Sequence, residues 1–382
     1  MEKAKNRIEI FDIAKGLSII LMTLSHYPFV KIDSLVYPNF MFFNEFKMVF
    51  SMPMFIFISG YLLSDRLRIK EFICHKIDGL IKPIFGFAIT LTVLKILLYV
   101  LTAEVVTFPG VMKYINVLAS IFPQGTFGPI NNTLWFVGAL FWGQLVFKGA
   151  LEMINVNKPY NYLLLLFLLI VLIVISNISF SFYYLEKIPV FFTYLLLGYS
   201  FKKISQRYLK GTLFFYSNKM ILFPILFFVS WFLLETLQVK VQLNLYDHKF
   251  NYHYLLLLSI LGVFSVLYVC RFFEKIPLLN SFLVYCSRAS FFILAYHIFI
   301  IDVYNSFFKM QTYNPLLHTS LFILNIIICC GVYFLIKKLP YVRILFYPIK
   351  TIPLTEGEIK LLKSKYVYRF IPREILRITN IA

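Results

Sequence analysis

The chain has 382 residues, of which 60% are hydrophobic, 19% aromatic and only 14% charged, and its formal net charge is +19. A soluble domain is nearer half apolar and a quarter charged, so this composition excludes a soluble enzyme and indicates a polytopic membrane protein. The positive charge requires no nucleic-acid partner, because Lys and Arg accumulate on the cytoplasmic side of membrane proteins.

Apolar segments of membrane-spanning length recur along the chain and predict an all-α fold with about ten transmembrane helices. The predicted spans are residues 8–27, 44–63, 83–103, 134–147, 160–178, 188–201, 220–237, 252–270, 282–302 and 318–336. If the N-terminus is cytoplasmic, most of the 37 Lys and Arg residues fall on the inner side. We therefore expect both termini in the cytoplasm.

The predicted organisation is one membrane domain over residues 1–340, followed by a basic cytoplasmic tail over 341–382. The tail is expected either to form an amphipathic helix at the inner leaflet or to be disordered. The longest outer segment, 104–133, is expected to be a plain connecting loop. Its aromatic residues leave open a contribution to a binding site.

The first span contains three ionisable residues, Asp12, Lys15 and His26. Ionisable groups at membrane depth are costly, so a functional role is the default hypothesis. His26 lies about 16 Å along the helix from Lys15, near the outer end, where an imidazole can act as a general base. A structural explanation is also open, in which Asp12 and Lys15 form an ion pair and His26 anchors the helix end.

Four patterns occur in a characteristic order: the Asp12, Lys15 and His26 spacing, SMPMFIFISGYLL followed by a basic segment ending at Lys82, NNTLWFVGALF, and SRASFFILAYHIFII. This order resembles the bacterial integral-membrane acyltransferases of acyltransferase family 3, in particular sugar O-acetyltransferases similar to fucose O-acetylases. The resemblance covers about residues 8–340. Many members have Arg where this chain has Lys15. The ammonium group of Lys lacks the planar guanidinium with which Arg donates two hydrogen bonds to one phosphate.

The resemblance implies an O-acetyltransferase of the bacterial inner membrane, moving an acetyl group from cytoplasmic acetyl-CoA to a hydroxyl of a cell-surface or lipid-linked glycan. Direct transfer and an acyl-histidine intermediate are both open. No metal and no nucleic acid is expected. The implied site residues are His26, Asp12 and Lys15 for catalysis, Lys15, Arg288, Lys76 and Lys82 for the coenzyme, and Trp135, Tyr296 and His297 for the acceptor.

Each of these residues also has a plainer explanation. Trp135 fits an interfacial aromatic belt, the basic residues follow the positive-inside rule, and Arg288 can extend to the interface. Gly60 is expected to serve helix packing. For the whole chain the alternatives are a transporter or flippase of lipid-linked glycan, and a membrane sensor without catalysis.

Overall fold

The computed structural model describes residues 8–27, 38–64, 67–103, 105–124, 132–154, 161–176, 184–209, 211–237, 252–308 and 314–363. Within these ranges the chain forms helices and turns and no β-strand, which confirms the all-α class. Four of the described helices are long and apolar enough to cross a membrane: Ile69–Thr102, Leu256–Phe273, Ser290–Phe307 and Leu316–Lys338. The number of spans and the sides of the termini stay predictions.

The α-helices are numbered here in chain order. They are α1 Glu9–Ser25, α2 Pro38–Tyr61, α3 Ile69–Lys76, α4 Lys82–Thr102, α5 Phe108–Gln124, α6 Trp135–Met153, α7 Asn161–Ser176, α8 Ile188–Tyr208, α9 Leu222–Thr236, α10 Tyr252–Phe273, α11 Pro277–Arg288, α12 Ser290–Phe308, α13 Pro315–Lys338, α14 Val342–Phe346 and α15 Glu356–Lys363. Among the described residues, nine of the ten predicted spans each overlap a single α-helix, and the span 282–302 overlaps two. The predicted spans 134–147 and 188–201 are the longer helices α6 and α8.

The prediction of a plain loop over residues 104–133 was wrong, because α5 lies within it. Val111, Tyr114 and Leu118 are partly buried at helical spacing, whereas Lys113 points outward. Pro109 lies in the first turn of α5, where a missing N–H costs no hydrogen bond. Residues 125–131 of this segment lie outside the described residues.

The ninth predicted span, 282–302, is not one helix. Pro277 starts α11 with a φ angle suited to a helix, and the helix ends at Arg288. Ala289, at φ −84° and ψ 1°, then separates α11 from α12. Arg288 was expected within a span and instead lies exposed at this helix break.

The chain divides into two compact units. The first unit comprises Met1–Leu62 and Tyr194–Cys330, and the second comprises Leu63–Thr193 and Gly331–Ala382. In the first unit, α1 packs against α2, α10, α11 and α12. Helix α1 is therefore central to this unit.

Two glycines allow the helices of the first unit to approach closely. A methyl group on Gly16 of α1 would overlap the Leu283 carbonyl of α11, and one on Gly60 of α2 would overlap the backbone of Leu195 in α8. Small residues at such contacts let backbones pack together. The predicted packing role of Gly60 is confirmed.

Helix α1 runs parallel to the α11–α12 segment. Near the start of both, the Asn280 amide donates a 2.8 Å hydrogen bond to the Glu9 carboxylate. Past the end of α1, the His26 ring lies beside His297 of α12. Both elements therefore start at the same end of the first unit.

In the second unit, residues 341–363 fold against the start of α4. Asp78, in a short π-helical turn at Ile77–Ile81, accepts a 2.8 Å hydrogen bond from the Ile349 amide. The Lys82 ammonium donates to Asp78 and to the Tyr347 carbonyl, at 2.5 and 2.8 Å. Phe346 packs edge-on against Phe87, with ring centroids 5.1 Å apart. These contacts fasten the C-terminal segment to the rest of the unit.

A buried ion pair holds this C-terminal segment in shape. Arg343 donates to both carboxylate oxygens of Glu358, at 2.8 and 2.6 Å, and the Thr355 amide donates at 2.7 Å. The Glu358 side chain is fully buried, and these hydrogen bonds, above all those from Arg343, lower its pKa to about 2. Leu362 packs beside the pair with Ile344, Ile349 and Ile352.

The C-terminal segment is thus folded as far as Lys363. Helix α15 turns Leu362 inward and leaves Leu361 exposed, which is an amphipathic arrangement. Its position at the inner leaflet stays a prediction. Residues 364–382, which carry Lys365, Tyr366, Val367 and Arg369 of the predicted tail helix, lie outside the described residues.

We expect Gly16→Ala to destabilise the protein, because the added methyl group forces α1 away from the Leu283 backbone. Overpacking of this kind costs about 1–3 kcal/mol. The measurement is the thermal unfolding midpoint in detergent. Gly149→Ala is the matched control, since a Cβ on Gly149 in α6 meets nothing within 4 Å. Equal midpoints for the two variants would contradict the close helix contact.

We expect Glu358→Gln to lower the free energy of unfolding at neutral pH by about 3 kcal/mol, because Arg343 loses its buried partner. The wild-type carboxylate has a depressed pKa, so its stabilisation is complete above about pH 5 and is lost as the pH falls towards 2. The difference from wild type should therefore shrink in acid. The control is Glu356→Gln, at an exposed position on the same helix. A difference that does not change with pH would contradict the assignment.

Candidate functional site

Asp12 and Lys15 form an ion pair on α1. The Lys15 ammonium lies 3.0 Å from the Asp12 carboxylate, and their side chains are 25% and 9% exposed. The (i, i+3) spacing places both groups on one face of the helix. The expected ion pair between Asp12 and Lys15 is therefore present. Because a quarter of the Lys15 side chain is exposed, an anion can still approach its ammonium group.

His26 ends α1. Its amide donates to the Thr23 carbonyl at 3.1 Å, and its side chain is exposed. The ring lies beside that of His297, with centroids 5.3 Å apart and planes inclined by 51°. The structure therefore brings together two of the predicted site residues that are far apart in sequence.

His297 is fully buried in α12. Its Nδ1 lies 2.7 Å from the Ile293 carbonyl, one helical turn earlier. A carbonyl oxygen only accepts hydrogen bonds, so Nδ1 carries the proton and, in the neutral ring, Nε2 carries a lone pair. Nε2 has no hydrogen-bond partner among the described residues.

Asn325 of α13 supports this histidine and was missed by the sequence analysis. Its amide donates to the His297 carbonyl at 3.0 Å, and Cys329 donates to the Asn325 side-chain oxygen at 3.4 Å. Asn325 is fully buried in an otherwise apolar stretch. A lone amide side chain inside a predicted span is the signal that would have found it.

Tyr27 extends the polar cluster next to His26. It is fully buried, with its ring edge-on to Phe322 at 5.5 Å, and its hydroxyl lies near the side chains of Asn325 and Tyr304. The end of α1 is therefore packed against α12 and α13 through polar as well as apolar contacts.

Two further predicted residues lie in the first unit. Arg288 is exposed at the end of α11. Five residues before it, Leu283 contacts Gly16 of α1, which is next to Lys15 in sequence. Tyr296 is buried, with its ring 6.3 Å from that of Phe292. Arg288 is thus open to a ligand, whereas Tyr296 is part of the helix packing.

The remaining predicted residues belong to the second unit. Lys82 already donates to Asp78 and Tyr347, and Lys76 lies over the Phe72 ring at 5.1 Å. Trp135 is 7% exposed and packs against Phe136, Tyr184 and Phe191. Their proposed ligand contacts stay predictions, and the structure already shows a packing partner for each.

The geometry around His26 suits proton transfer. An exposed imidazole at the end of a helix can meet a substrate hydroxyl, and a second imidazole behind it can fix its orientation. Among the described residues, no three His, Cys, Asp or Glu side chains cluster as metal ligands.

Comparison with known proteins identifies one family. A family model described as an acyltransferase domain, of acyltransferase family 3, matches residues 8–334. No curated protein and no solved structure is significantly similar to the chain. The match covers the whole of α1 and extends almost to the end of α13.

We expect Lys15→Met to reduce the amount of folded protein in the membrane, because Asp12 is left buried without its counter-charge. Asp12→Asn combined with Lys15→Met removes both charges and should restore most of the wild-type level. Fluorescence-detected size-exclusion chromatography of detergent extracts measures the folded fraction. If the double variant is as depleted as the single one, the ion pair is not what makes Lys15 matter for folding.

Proposed function

The chain belongs to acyltransferase family 3 and is a membrane acyltransferase, and from that membership we propose that it acetylates a glycan. The proposed enzyme lies in the bacterial inner membrane. Its donor is cytoplasmic acetyl-CoA, and its acceptor is a hydroxyl of a cell-surface or lipid-linked saccharide. The observation that carries the assignment is the exposed His26 ring at the end of α1, backed by buried His297.

His26 is the proposed general base. Its unprotonated nitrogen takes the proton from the acceptor hydroxyl as the hydroxyl oxygen attacks the thioester carbonyl. The new C–O bond forms as the C–S bond breaks, and the coenzyme thiolate leaves and takes up the proton. Holding both substrates beside one imidazole supplies the orientation on which such transfers depend.

The donor phosphates are proposed to contact Lys15 and Arg288. Gly16 lies against Leu283, and Arg288 follows Leu283 by about 8 Å along α11, so both cations flank the same stretch of the first unit. Lys15 is a quarter exposed and Arg288 is exposed, which supports access. Asp12 then holds the Lys15 ammonium in place when no donor is bound.

We expect an ester-labile acetyl increment on surface or lipid-linked glycans from cells making the wild-type protein. Cells making His26→Ala, or no protein, should lack it, because the general base is absent. Mass spectrometry of extracted glycans before and after mild alkali measures the increment, with membrane levels of the two proteins matched. An unchanged increment with His26→Ala would contradict the role of His26 and favour a different catalytic group.

The same comparison separates the alternative functions. One outcome is that no sample carries the acetyl increment, but the wild-type protein changes the amount of a lipid-linked glycan or the membrane face on which it lies. That outcome would contradict acyl transfer and favour a transporter or flippase. A protein-bound acetyl group after incubation with acetyl-CoA alone would indicate an acyl-histidine in place of direct transfer.

We expect the Asp12→Asn, Lys15→Met double variant to raise the KM for acetyl-CoA roughly tenfold while the KM for the acceptor stays within about twofold, because only the donor loses a charge contact. Steady-state kinetics on purified protein in detergent measure both constants. Wild-type kinetics from the double variant would show that the pair serves insertion and folding alone.

A further inference from the structure

We infer that His297 is a positioning residue for His26: Nε2 of His297 accepts the N–H of His26 and thereby fixes which nitrogen of His26 faces the acceptor. The inference rests on the proposed role of His26 as the base, and it replaces the expected contact between His297 and the acceptor. Its basis is the geometry of the two rings and of the groups that hold His297.

The Nε2 nitrogen of His297 needs a hydrogen-bond donor. The Nδ1 proton of His297 is committed to the Ile293 carbonyl, so Nε2 of the neutral ring can only accept. Nε2 is buried and has no partner in the part of the chain that the structure describes. A buried acceptor left unpaired is destabilising, and an N–H from a neighbouring side chain removes that penalty.

The distance between the His26 and His297 rings also fits a hydrogen bond between them. An N–H···N hydrogen bond of about 3 Å that joins two imidazole rings places their centroids about 5 Å apart. The observed separation of the His26 and His297 centroids is 5.3 Å. The ring separation therefore allows an N–H of His26 to reach Nε2 of His297.

His297 is held in place by its surroundings, whereas the His26 ring is exposed. His297 is fully buried, its ring is bound to Ile293, and its carbonyl is held by Asn325 of α13. His26 is exposed at the end of α1. The buried ring therefore serves as the reference against which the exposed ring is oriented.

The consequence is a defined tautomer for His26. The nitrogen bonded to Nε2 of His297 carries the proton, so the other nitrogen keeps its lone pair and faces the exposed side, where the acceptor hydroxyl enters. This is the logic of a base whose orientation is set by a third group. Because His297 itself is fully buried, a saccharide reaches His26 before it reaches His297.

The kinetic test compares His297→Ala with His297→Gln, whose amide can place an acceptor near the position of Nε2. We expect kcat to fall at least roughly tenfold in His297→Ala while the acceptor KM stays within about twofold, and His297→Gln to recover a large part of kcat. A higher acceptor KM with unchanged kcat would overturn the inference and return His297 to acceptor binding. Equal losses of kcat in both variants would indicate that His297 contributes only to packing, and would also overturn the inference.

A second measurement needs no acyl transfer. Diethyl pyrocarbonate acylates the unprotonated nitrogen of an imidazole, and peptide mass spectrometry gives the rate at His26 in folded protein. An N–H···N bond makes the free nitrogen more nucleophilic, so we expect a severalfold lower rate in His297→Ala and near wild-type reactivity in His297→Gln. An equal or faster rate in His297→Ala, which also uncovers His26, would overturn the inference.

The two measurements separate the inference from the proposed function. If wild-type protein transfers no acetyl group, the proposed function fails, and the acylation rates at His26 still decide whether His297 orients it. If wild-type protein transfers acetyl and His26→Ala does not, while His297→Ala matches wild type in both measurements, the function stands and the inference fails.

Discussion

The close contact of α1 with α11 at Gly16 is the constraint on which the first unit depends. Only a residue without a side chain lets α1 lie directly against the Leu283 backbone. With that contact made, α1 runs parallel to α11 and α12, and His26 at its end meets His297. The position of the proposed base thus follows from backbone packing near the middle of α1, and a small shift there moves the far end of the helix.

Three of the ion pairs in the described helices join residues that are near neighbours along the chain. Lys15 pairs with Asp12, Lys82 with Asp78, and Lys148, which is 3% exposed, with Glu152. A partner three or four residues away neutralises a charge without waiting for tertiary structure, which suits a helix that enters a membrane before it packs. Asn325 of α13 is different, because its amide donates to the His297 carbonyl on another helix, α12.

In the second unit, charged side chains also hold the C-terminal segment in place through hydrogen bonds. Asp78 and Lys82 bind the backbone at Ile349 and Tyr347, and Glu358 satisfies Arg343 and Thr355. In each case a charged side chain binds backbone groups of the short C-terminal segment. The contacts made by Asp78 and Lys82 join the C-terminal segment to the start of α4.

Hydropathy and residue spacing alone predicted the all-helical membrane class and the positions of most apolar helices, and they offered the Asp12–Lys15 ion pair as one of two explanations, because these are properties of short stretches of chain. The order of motifs along the chain carried the resemblance to the family. Hydropathy and spacing did not predict α5, whose partial burial depends on packing, or the break at Ala289. Only the tertiary structure placed His297 beside His26, revealed Asn325 behind it, and folded residues 341–363. The reason is physical: these features arise from contacts between distant segments, which local periodicity does not encode.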